Sequence, residues 1–294
     1  MTDQPAPDDG GTSVRRAPGR RRRSTTGAPE GERRQAPGPG VEPTPPSYPI
    51  SSVDNALRLI LLFENRPAFK VADVARELSV VRSTAHRLLA MLEYWGFVTQ
   101  DPRTEAYLPG DRLLGVGLAA VRQHPLREAA RPILEDLVRE VDETAHLAVL
   151  RGDRVLFLDV VESQRTIRAG SRVGDTLPAH LTSSGKALLA EFDDEELLRL
   201  LPNQVLEGMT TRSIRDRDRL LGELRQVRRL GYAVNRGESE DDLVTVAAAA
   251  RDRWGTARGS LVVAAPAARV GHDWERATAG AVRSAADRLG SLLD

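Results

Sequence analysis

The sequence contains no cysteine, which excludes disulfides, iron–sulfur clusters and thiolate zinc sites. Histidines are few, and no two of them have the close spacing that places two imidazoles on one face of a helix. The five histidines are His86, His124, His146, His180 and His272. We therefore expect no metal site, and no pattern in the sequence indicates a cofactor.

Long apolar runs are also missing, because no stretch approaches the ~20 residues that a membrane-spanning helix needs. The arginines near the N-terminus are not followed by the apolar run of a secretory or twin-arginine signal. We therefore expect a cytoplasmic protein with no membrane partner. The formal net charge is zero, with 42 basic and 42 acidic residues, so any binding of nucleic acid must come from local placement of charge.

The length of 294 residues favours two domains, preceded here by a segment of different composition. Residues 1–50 are rich in Pro, Gly, Ser, Thr and charge, and we expect a disordered tail because they offer little apolar surface to bury. The run Arg20–Arg23 lies in this tail. It is either a solvated basic patch, which we favour, or a loose electrostatic arm on DNA phosphates.

Residues 51–110 follow the order helix, helix, turn, helix and hairpin. Apolar spacing predicts a helix from Ser51, a short helix over 71–78 and a third over 82–95. Strands over 97–100 and 106–108 then form a hairpin. This order is typical of a winged helix-turn-helix that binds double-stranded DNA.

The remainder predicts an α+β fold. A linker helix begins at 111 and ends at His124-Pro125, which defines a linker over 111–125 and a second domain over 126–294. In that domain, helices are predicted at 127–141, 184–191, 194–201, 216–230 and 274–293, and strands at 145–150, 154–160, 166–169, 232–235, 243–249 and 259–264.

The third helix has an apolar stripe formed by Ala85, Leu88, Leu89 and Leu92, which should pack on the first two helices. Its other face is polar, and its N-terminal residues would enter the major groove. Taken alone, this helix is more typical of a solvated amphipathic surface helix. Its position as the third helix before a wing favours a DNA-reading helix instead. The candidate DNA-binding residues are Arg82, Ser83, Thr84, His86 and Arg87.

The segment Ser83–Leu89 resembles the recognition-helix signature of the IclR-type family of bacterial transcription regulators. Residues 52–57 and 74–75 are similar to the family's earlier helices, 185–190 to the helix start of its effector domain, and 231–234 to a further motif. The resemblance implies a GAF-like effector domain, in which an antiparallel sheet with flanking helices binds a small organic ligand. It also implies homodimers joined through the DNA-binding part, often paired into tetramers, on nearly palindromic operators.

Two positions depart from the family's pattern. Ser79 stands where the turn before the recognition helix usually has glycine, and serine in a left-handed turn costs more than glycine, so we expect this turn to differ slightly. Glu105 replaces the usual glycine of the wing, which puts an acidic side chain near phosphates and predicts a weaker wing contact.

The resemblance also implies an effector pocket. Carried over by position, its residues are Thr182, Ser183, Ser184, Asn235, Thr245, Val262 and Ala264. The backbone N–H groups of Ser183 and Ser184, at a helix start, would bind a carboxylate, although the two serines could equally cap the helix without a ligand.

The ligand predicted for this pocket is an organic acid or carbonyl compound larger than a three-carbon acid, because the pocket has few polar groups. Its apolar body would lie against Leu147, Val149 and the two apolar pocket residues, and Asn235 and Thr245 would orient a further polar group.

Two other function classes stay open beside a ligand-responsive regulator. In an enzyme, Ser183–Lys186 would be a phosphate loop, but that motif needs glycine where His180 stands. A Ser-Lys nucleophile would use Ser184 and Lys186, which are poorly placed for it on one helix start. We therefore expect no catalysis. A DNA-binding protein without a ligand is the second alternative, and the large C-terminal domain argues against it.

Overall fold

Three helices and a hairpin succeed one another in the N-terminal module, as the sequence predicts. The computed structural model describes residues 47–293 apart from Asn65 and His272, so most of the predicted tail, including Arg20–Arg23, lies outside the described residues. The elements of this module are α1 (Ser51–Leu62), α2 (Val71–Glu77), α3 (Arg82–Tyr94), β1 (Val98–Gln100) and β2 (Tyr107–Pro109).

The apolar stripe of α3 forms the core of this module. Ala85 and Leu89 are fully buried against Leu59 of α1 and Val74 of α2. The hairpin is tied to the same core, because the backbone of Tyr107 exchanges two hydrogen bonds, of 2.8 and 3.0 Å, with that of Phe69. Packing against two helices and a strand therefore holds α3 in one orientation.

The two positions that lack the family's glycine keep a left-handed backbone. Ser79 has φ 55° and Glu105 has φ 58°. A left-handed conformation at a residue other than glycine costs of order 1 kcal/mol, which the surrounding hydrogen bonds must offset. At Ser79 the following amide, of Val80, donates to Ala75 O at 3.0 Å, which stabilises the turn before α3.

A pair of successive helices leads into the C-terminal module. Helix α4 (Asp111–Arg122) has no buried residue, and α5 (Pro125–Val141) begins with proline in its first turn. The break predicted at His124-Pro125 is confirmed, and α5 starts two residues earlier than predicted.

The C-terminal module is built on a six-stranded antiparallel sheet in the order β5-β4-β3-β8-β7-β6. Its strands are β3 (Thr144–Arg151), β4 (Arg154–Val161), β5 (Thr176–Pro178), β6 (Ala233–Arg236), β7 (Leu243–Arg251) and β8 (Ala257–Pro266). Its further helices are α6 (Ser183–Leu189), α7 (Asp194–Leu200), α8 (Arg217–Leu230) and α9 (Trp274–Gly290). Alternate strand residues pack against α5 and α9 on one face and against α6, α7 and α8 on the other. This α+β architecture is the predicted one.

One predicted strand, 166–169, is wrong. This segment forms bends, and the edge strand is instead β5, which pairs with β4. Ile167, the large apolar residue of this segment, is 70% exposed, so no sheet face covers it. The segment instead hydrogen-bonds to β3 through carbonyl groups, since Thr144 Oγ1 donates to Ala169 O at 2.9 Å.

A β-bulge in β4 changes which side chains face α5. Phe157 pairs with Ala148, whereas Asp159 pairs with Leu147, so the strand holds one extra residue between them. Asp159 consequently lies on the α5 face, where its carboxylate accepts hydrogen bonds from Arg127 (3.3 Å) and Arg131 (3.2 Å) at the start of α5. The bulge thus allows an acidic side chain of β4 to form ion pairs with α5.

Candidate functional site

A cavity of about 330 Å³ lies between the start of α6, the sheet and two loops, and this volume is within the range of small-molecule sites in proteins. The structure brings all of the predicted pocket residues together around it. They are Thr182, Ser183, Ser184, Asn235, Thr245, Val262 and Ala264.

The apolar wall differs from the predicted one, because Leu147 and Val149 do not reach the cavity. Both belong to the core beneath α5 and α9, on the opposite face of the sheet. Side chains alternate along β3, so His146 faces the cavity instead. The apolar surface comes from the predicted Val262 and Ala264 together with Phe157, Leu177 and Leu243, which sequence reasoning missed.

Close backbone packing fixes the start of α6. A Cβ atom on Gly185 would lie 2.1 Å from the carbonyl oxygen of Ala179, so only glycine fits. Thr182 is the N-cap, since its Oγ1 accepts a hydrogen bond from Gly185 N at 2.9 Å. The alternative in which Ser183 and Ser184 cap the helix is therefore wrong.

Several of the predicted polar groups already have partners within the protein. The hydroxyls of Ser183 and Thr245 hydrogen-bond to each other at 2.6 Å. The Asn235 amide donates to Leu181 O and Ser239 Oγ, and its oxygen accepts from Glu238 N. These groups shape the cavity, and a ligand that used them would have to replace these hydrogen bonds.

The lining includes charged and ionisable residues that sequence reasoning missed: His146, Arg172, Asp175 and Glu240. The alternation of side chains along β3 could have indicated His146. This required assigning Leu147 and Val149 to the opposite face of the sheet. The remaining three lie on loops without periodicity, and no signal in the sequence indicates that they meet.

Burial lowers the pKa of His146 to about 4, and the nearby positive charge of Arg172 acts in the same direction. The ring is therefore neutral near pH 7. Its Nε2 lies 3.2 Å from Gly170 O, which assigns the proton to that nitrogen because a carbonyl only accepts.

We expect acidification below pH 6.5 to destabilise the protein partly through His146. A histidine whose pKa is about 4 in the folded state and near 6.5 when unfolded contributes stability at higher pH that is lost as pH falls through this window. Denaturant unfolding measures the free energy of unfolding between pH 7 and 4.5. Over this range it should fall more steeply with decreasing pH in the wild type than in His146→Gln, by about 1 kcal/mol per pH unit. Burial also lowers the pKa of His124 and His180, which both proteins retain, so parallel profiles would contradict the assignment.

The buried Lys186 anchors the loop after β6. Lys186 is 0% exposed, and its Nζ donates to Glu223 of α8 at 2.5 Å and to Glu238 at 2.7 Å. Burial raises the pKa of Glu238, and the Lys186 charge opposes that shift. Because unpaired buried charge is costly, this cluster holds the loop 237–240 against α6.

The second candidate site is the polar face of α3. Four of the five predicted DNA-binding side chains are exposed, and Thr84 is half-buried. The first turn of α3 carries no acidic residue that would repel phosphate. The exposed residues are Arg82, Ser83, His86 and Arg87.

Within residues 47–293, leaving aside the two internal gaps, no helix has the length and apolar character needed to cross a membrane. The same residues contain no group of three or more His, Asp or Glu side chains that could hold a metal ion.

A winged helix-turn-helix followed by a domain that encloses a ligand-sized cavity defines a transcription regulator of the one-component type. The IclR helix-turn-helix domain model matches residues 52–102, and the model of the bacterial transcriptional regulator IclR C-terminal domain matches residues 118–291. The chain belongs to the IclR family of bacterial transcription regulators, which confirms the resemblance. It is a ligand-responsive regulator that binds operator DNA.

Relatives of known sequence or structure cover most of the chain. The HTH-type transcriptional regulator BhcR of Paracoccus denitrificans is 34% identical over 82% of this chain and 86% of its own. A putative IclR regulator from Silicibacter has 27% identity and a TM-score of 0.69, covering 83% and 98%. An IclR homologue from Microbacterium hydrocarbonoxydans, complexed with 4-hydroxybenzoate, has 26% identity and a TM-score of 0.62, covering 81% and 97%.

Proposed function

We propose that the polar face of α3 reads the operator. Its support is the orientation of α3, whose apolar stripe is buried while the opposite side chains are exposed and its first turn carries no acidic residue. Arg87 would hydrogen-bond to a guanine edge or pair with a phosphate. Ser83 and Thr84 are short enough for the N-terminus of α3 to approach the DNA backbone. The proposed contacts are Arg82, Ser83, Thr84, His86 and Arg87.

We propose further that the cavity binds the effector, an organic acid or related carbonyl compound with an apolar body. The observation that carries this proposal is a cavity of about 330 Å³ that has both charged and apolar walls. The Microbacterium homologue bound to 4-hydroxybenzoate, a compact aromatic acid, supports the class. The proposed lining residues are Thr182, Ser183, Ser184, Asn235, Thr245, Val262 and Ala264.

A thermal-shift series of acids tests this ligand class, because a ligand that binds only the folded state raises the melting temperature. We expect stabilisation to increase from glyoxylate and pyruvate to acids of benzoate size. Strong stabilisation by glyoxylate or pyruvate, with no gain from apolar groups, would contradict the proposal.

We propose a homodimer, with a tetramer as a dimer of dimers, in which the N-terminal module and α4 form the first interface. Helix α1 exposes Val53, Leu57 and Leu61, each at least half exposed, and α4 exposes Leu114 and Leu118. Exposed apolar side chains of this kind on two helices favour association. A dimer would read half-sites about one helical turn apart.

Sedimentation equilibrium tests the dimer. We expect Leu57→Gln to weaken association at least about tenfold, since an apolar anchor in the centre of an interface contributes about 2 kcal/mol or more. Arg58→Gln changes the neighbouring exposed position to the same residue and serves as the control. Equal association constants for both variants would contradict this interface.

We propose a test of the less favoured interpretation of Arg20–Arg23, in which the tail supplies phosphate contacts. Deletion of residues 1–48 should then preserve sequence preference and weaken operator binding at low salt. Because the contacts release counterions, the slope of log K against log salt should fall in magnitude by up to ~3–4 units. Binding titrations at several salt concentrations measure this, and identical slopes would show that the tail is a solvated patch.

We propose that the chain has no catalytic activity and works in the cytoplasm, where the operator lies. Its relatives are transcription regulators. In the Ser-Lys alternative Lys186 would act as the base, but its Nζ is fully buried and hydrogen-bonded to Glu223 and Glu238.

We also propose the division into a tail over 1–50, a DNA-binding domain over 51–110, a linker over 111–125 and an effector domain over 126–294.

A further inference from the structure

One ion pair spans the effector cavity between two loops. The Arg172 guanidinium contacts the Glu240 carboxylate, and its other terminal nitrogen lies 3.6 Å from Asp175 Oδ2. All three residues line the cavity. Since His146 is neutral near pH 7, Arg172 is the only cationic side chain among the described lining residues.

The backbone of Arg172 is held in place by β4. Arg172 O accepts a hydrogen bond from Asp175 N at 2.8 Å, and Asp175 O accepts one from Phe157 N at 3.1 Å. Gly174 N returns a hydrogen bond to Phe157 O at 2.9 Å. The Arg172 side chain is 22% exposed, so its charge is presented from a rigid turn in a largely desolvated position.

Glu240 is held differently. The loop that carries it is anchored at Glu238, by Lys186 and by Ser213 Oγ, which donates to Glu238 O at 2.7 Å. The Glu240 side chain itself is 51% exposed, so it can turn into solvent without leaving a buried charge. Because the Glu240 carboxylate is half exposed, solvent screens this ion pair, and its contribution to stability is small.

At the α6 end of the cavity, the hydroxyls of Ser183 and Thr245 and the amide of Asn235 already have partners within the protein. Arg172 offers a ligand carboxylate a full positive charge, and its planar guanidinium pairs with carboxylates through two parallel hydrogen bonds.

We propose that Arg172 recognises the carboxylate of the effector, and that Glu240 occupies this position until the effector replaces it. This inference rests on the proposed effector cavity. It specifies a ligand with one carboxylate, held at the loop side of the cavity, and an apolar body directed toward Val262 and Ala264. Binding then exchanges the Glu240 carboxylate for the ligand carboxylate at Arg172. Competition from Glu240 therefore raises the ligand concentration that is needed for binding.

Calorimetry on the full-length protein tests the exchange with two matched pairs of probes: benzoate with benzamide, and 4-hydroxybenzoate with 4-hydroxybenzamide. We expect Arg172→Met to weaken binding of the acids at least about tenfold, because a hydrogen-bonded charge is lost, and to weaken the amides much less. Arg172→Lys should retain part of the acid binding, since it keeps the charge without the planar fork.

Glu240→Gln removes the competing carboxylate. It should strengthen acid binding by up to about fivefold, the contribution of an exposed ion pair, and should favour the acids over their amides. Asp242→Asn is the control, because it removes the same charge from an exposed position of the same loop that does not line the cavity.

Several results would overturn the proposal. If Arg172→Met weakens the binding of acids and amides equally, Arg172 only connects the two loops. If Asp242→Asn strengthens acid binding as much as Glu240→Gln does, the effect comes from net charge and not from the ion pair. Acids that bind unchanged to Arg172→Met, but no longer to Ala264→Trp, would leave the cavity in place and refute the role of Arg172. Failure of every acid and amide to bind would refute the cavity itself, and this inference with it.

Discussion

Arg87→Ala should weaken operator binding about 5- to 150-fold while leaving the fold intact. A good contact to a base edge or a phosphate contributes ~1–3 kcal/mol, and Arg87 lies opposite the apolar stripe of α3. Truncation removes no side chain from the core, because Ala85 and Leu89 on the other face do that packing. Gel shifts with an operator selected from fragments of the source genome measure the loss, and circular dichroism checks the fold.

The matched control is Arg229→Ala, which removes the same charge from an exposed position of α8 in the C-terminal module. A loss specific to Arg87 would identify a contact, whereas equal losses would indicate a general effect of net charge. Unchanged operator affinity in Arg87→Ala, with a normal spectrum, would contradict the assignment of α3 as the reading helix.

Ala264→Trp should abolish the response of DNA binding to the effector. Ala264 is 3% exposed and lines the cavity from β8, so an indole at this position fills the space that a ligand would need. Overpacking at a buried site costs about 1–3 kcal/mol of folding stability, and the melting temperature should therefore fall by several degrees. Calorimetry and gel shifts with the best acid from the thermal-shift series measure the loss of binding and of response.

Ala268→Trp makes the same chemical change at an exposed position shortly after β8 and should keep the response. Ala264→Leu adds a smaller side chain and should give a partial loss, which separates filling of the cavity from unfolding. Full effector response in both Ala264 variants would mean that the ligand binds elsewhere.

The helices of the N-terminal module were predictable because each carries a clear apolar period. Ala85 and Leu89 recur at the spacing that one face of a helix requires, and the structure buries both. The strands over 145–150 and 243–249 were also predictable as elements. Their faces were not, because both faces of this sheet are covered by helices, so apolar residues such as Leu147 and Ala148 occur without a polar alternation to distinguish them.

The cavity was predictable only in part. Resemblance by position located Thr182, Asn235 and Ala264, which lie on regular elements or at their ends. Arg172 and Glu240 meet across 68 residues of sequence, and both lie on loops whose course depends on hydrogen bonds to distant strands. No local pattern encodes such a contact, and the same holds for the buried pairing of Lys186 with Glu238.

The close approach of Gly185 to Ala179 bears on how a cavity of this kind diversifies. A Cβ atom at position 185 would lie 2.1 Å from the Ala179 oxygen, 2.4 Å from its Cα and 2.5 Å from its carbonyl carbon, so any other residue would displace backbone rather than a side chain. A substitution at Gly185 should therefore disturb the fold before it can alter ligand preference. Substitution of Glu240 should disturb the fold much less, because half of its side chain is exposed to solvent. New specificities should therefore accumulate on the loops that cover the cavity, while the helix beneath them stays constant.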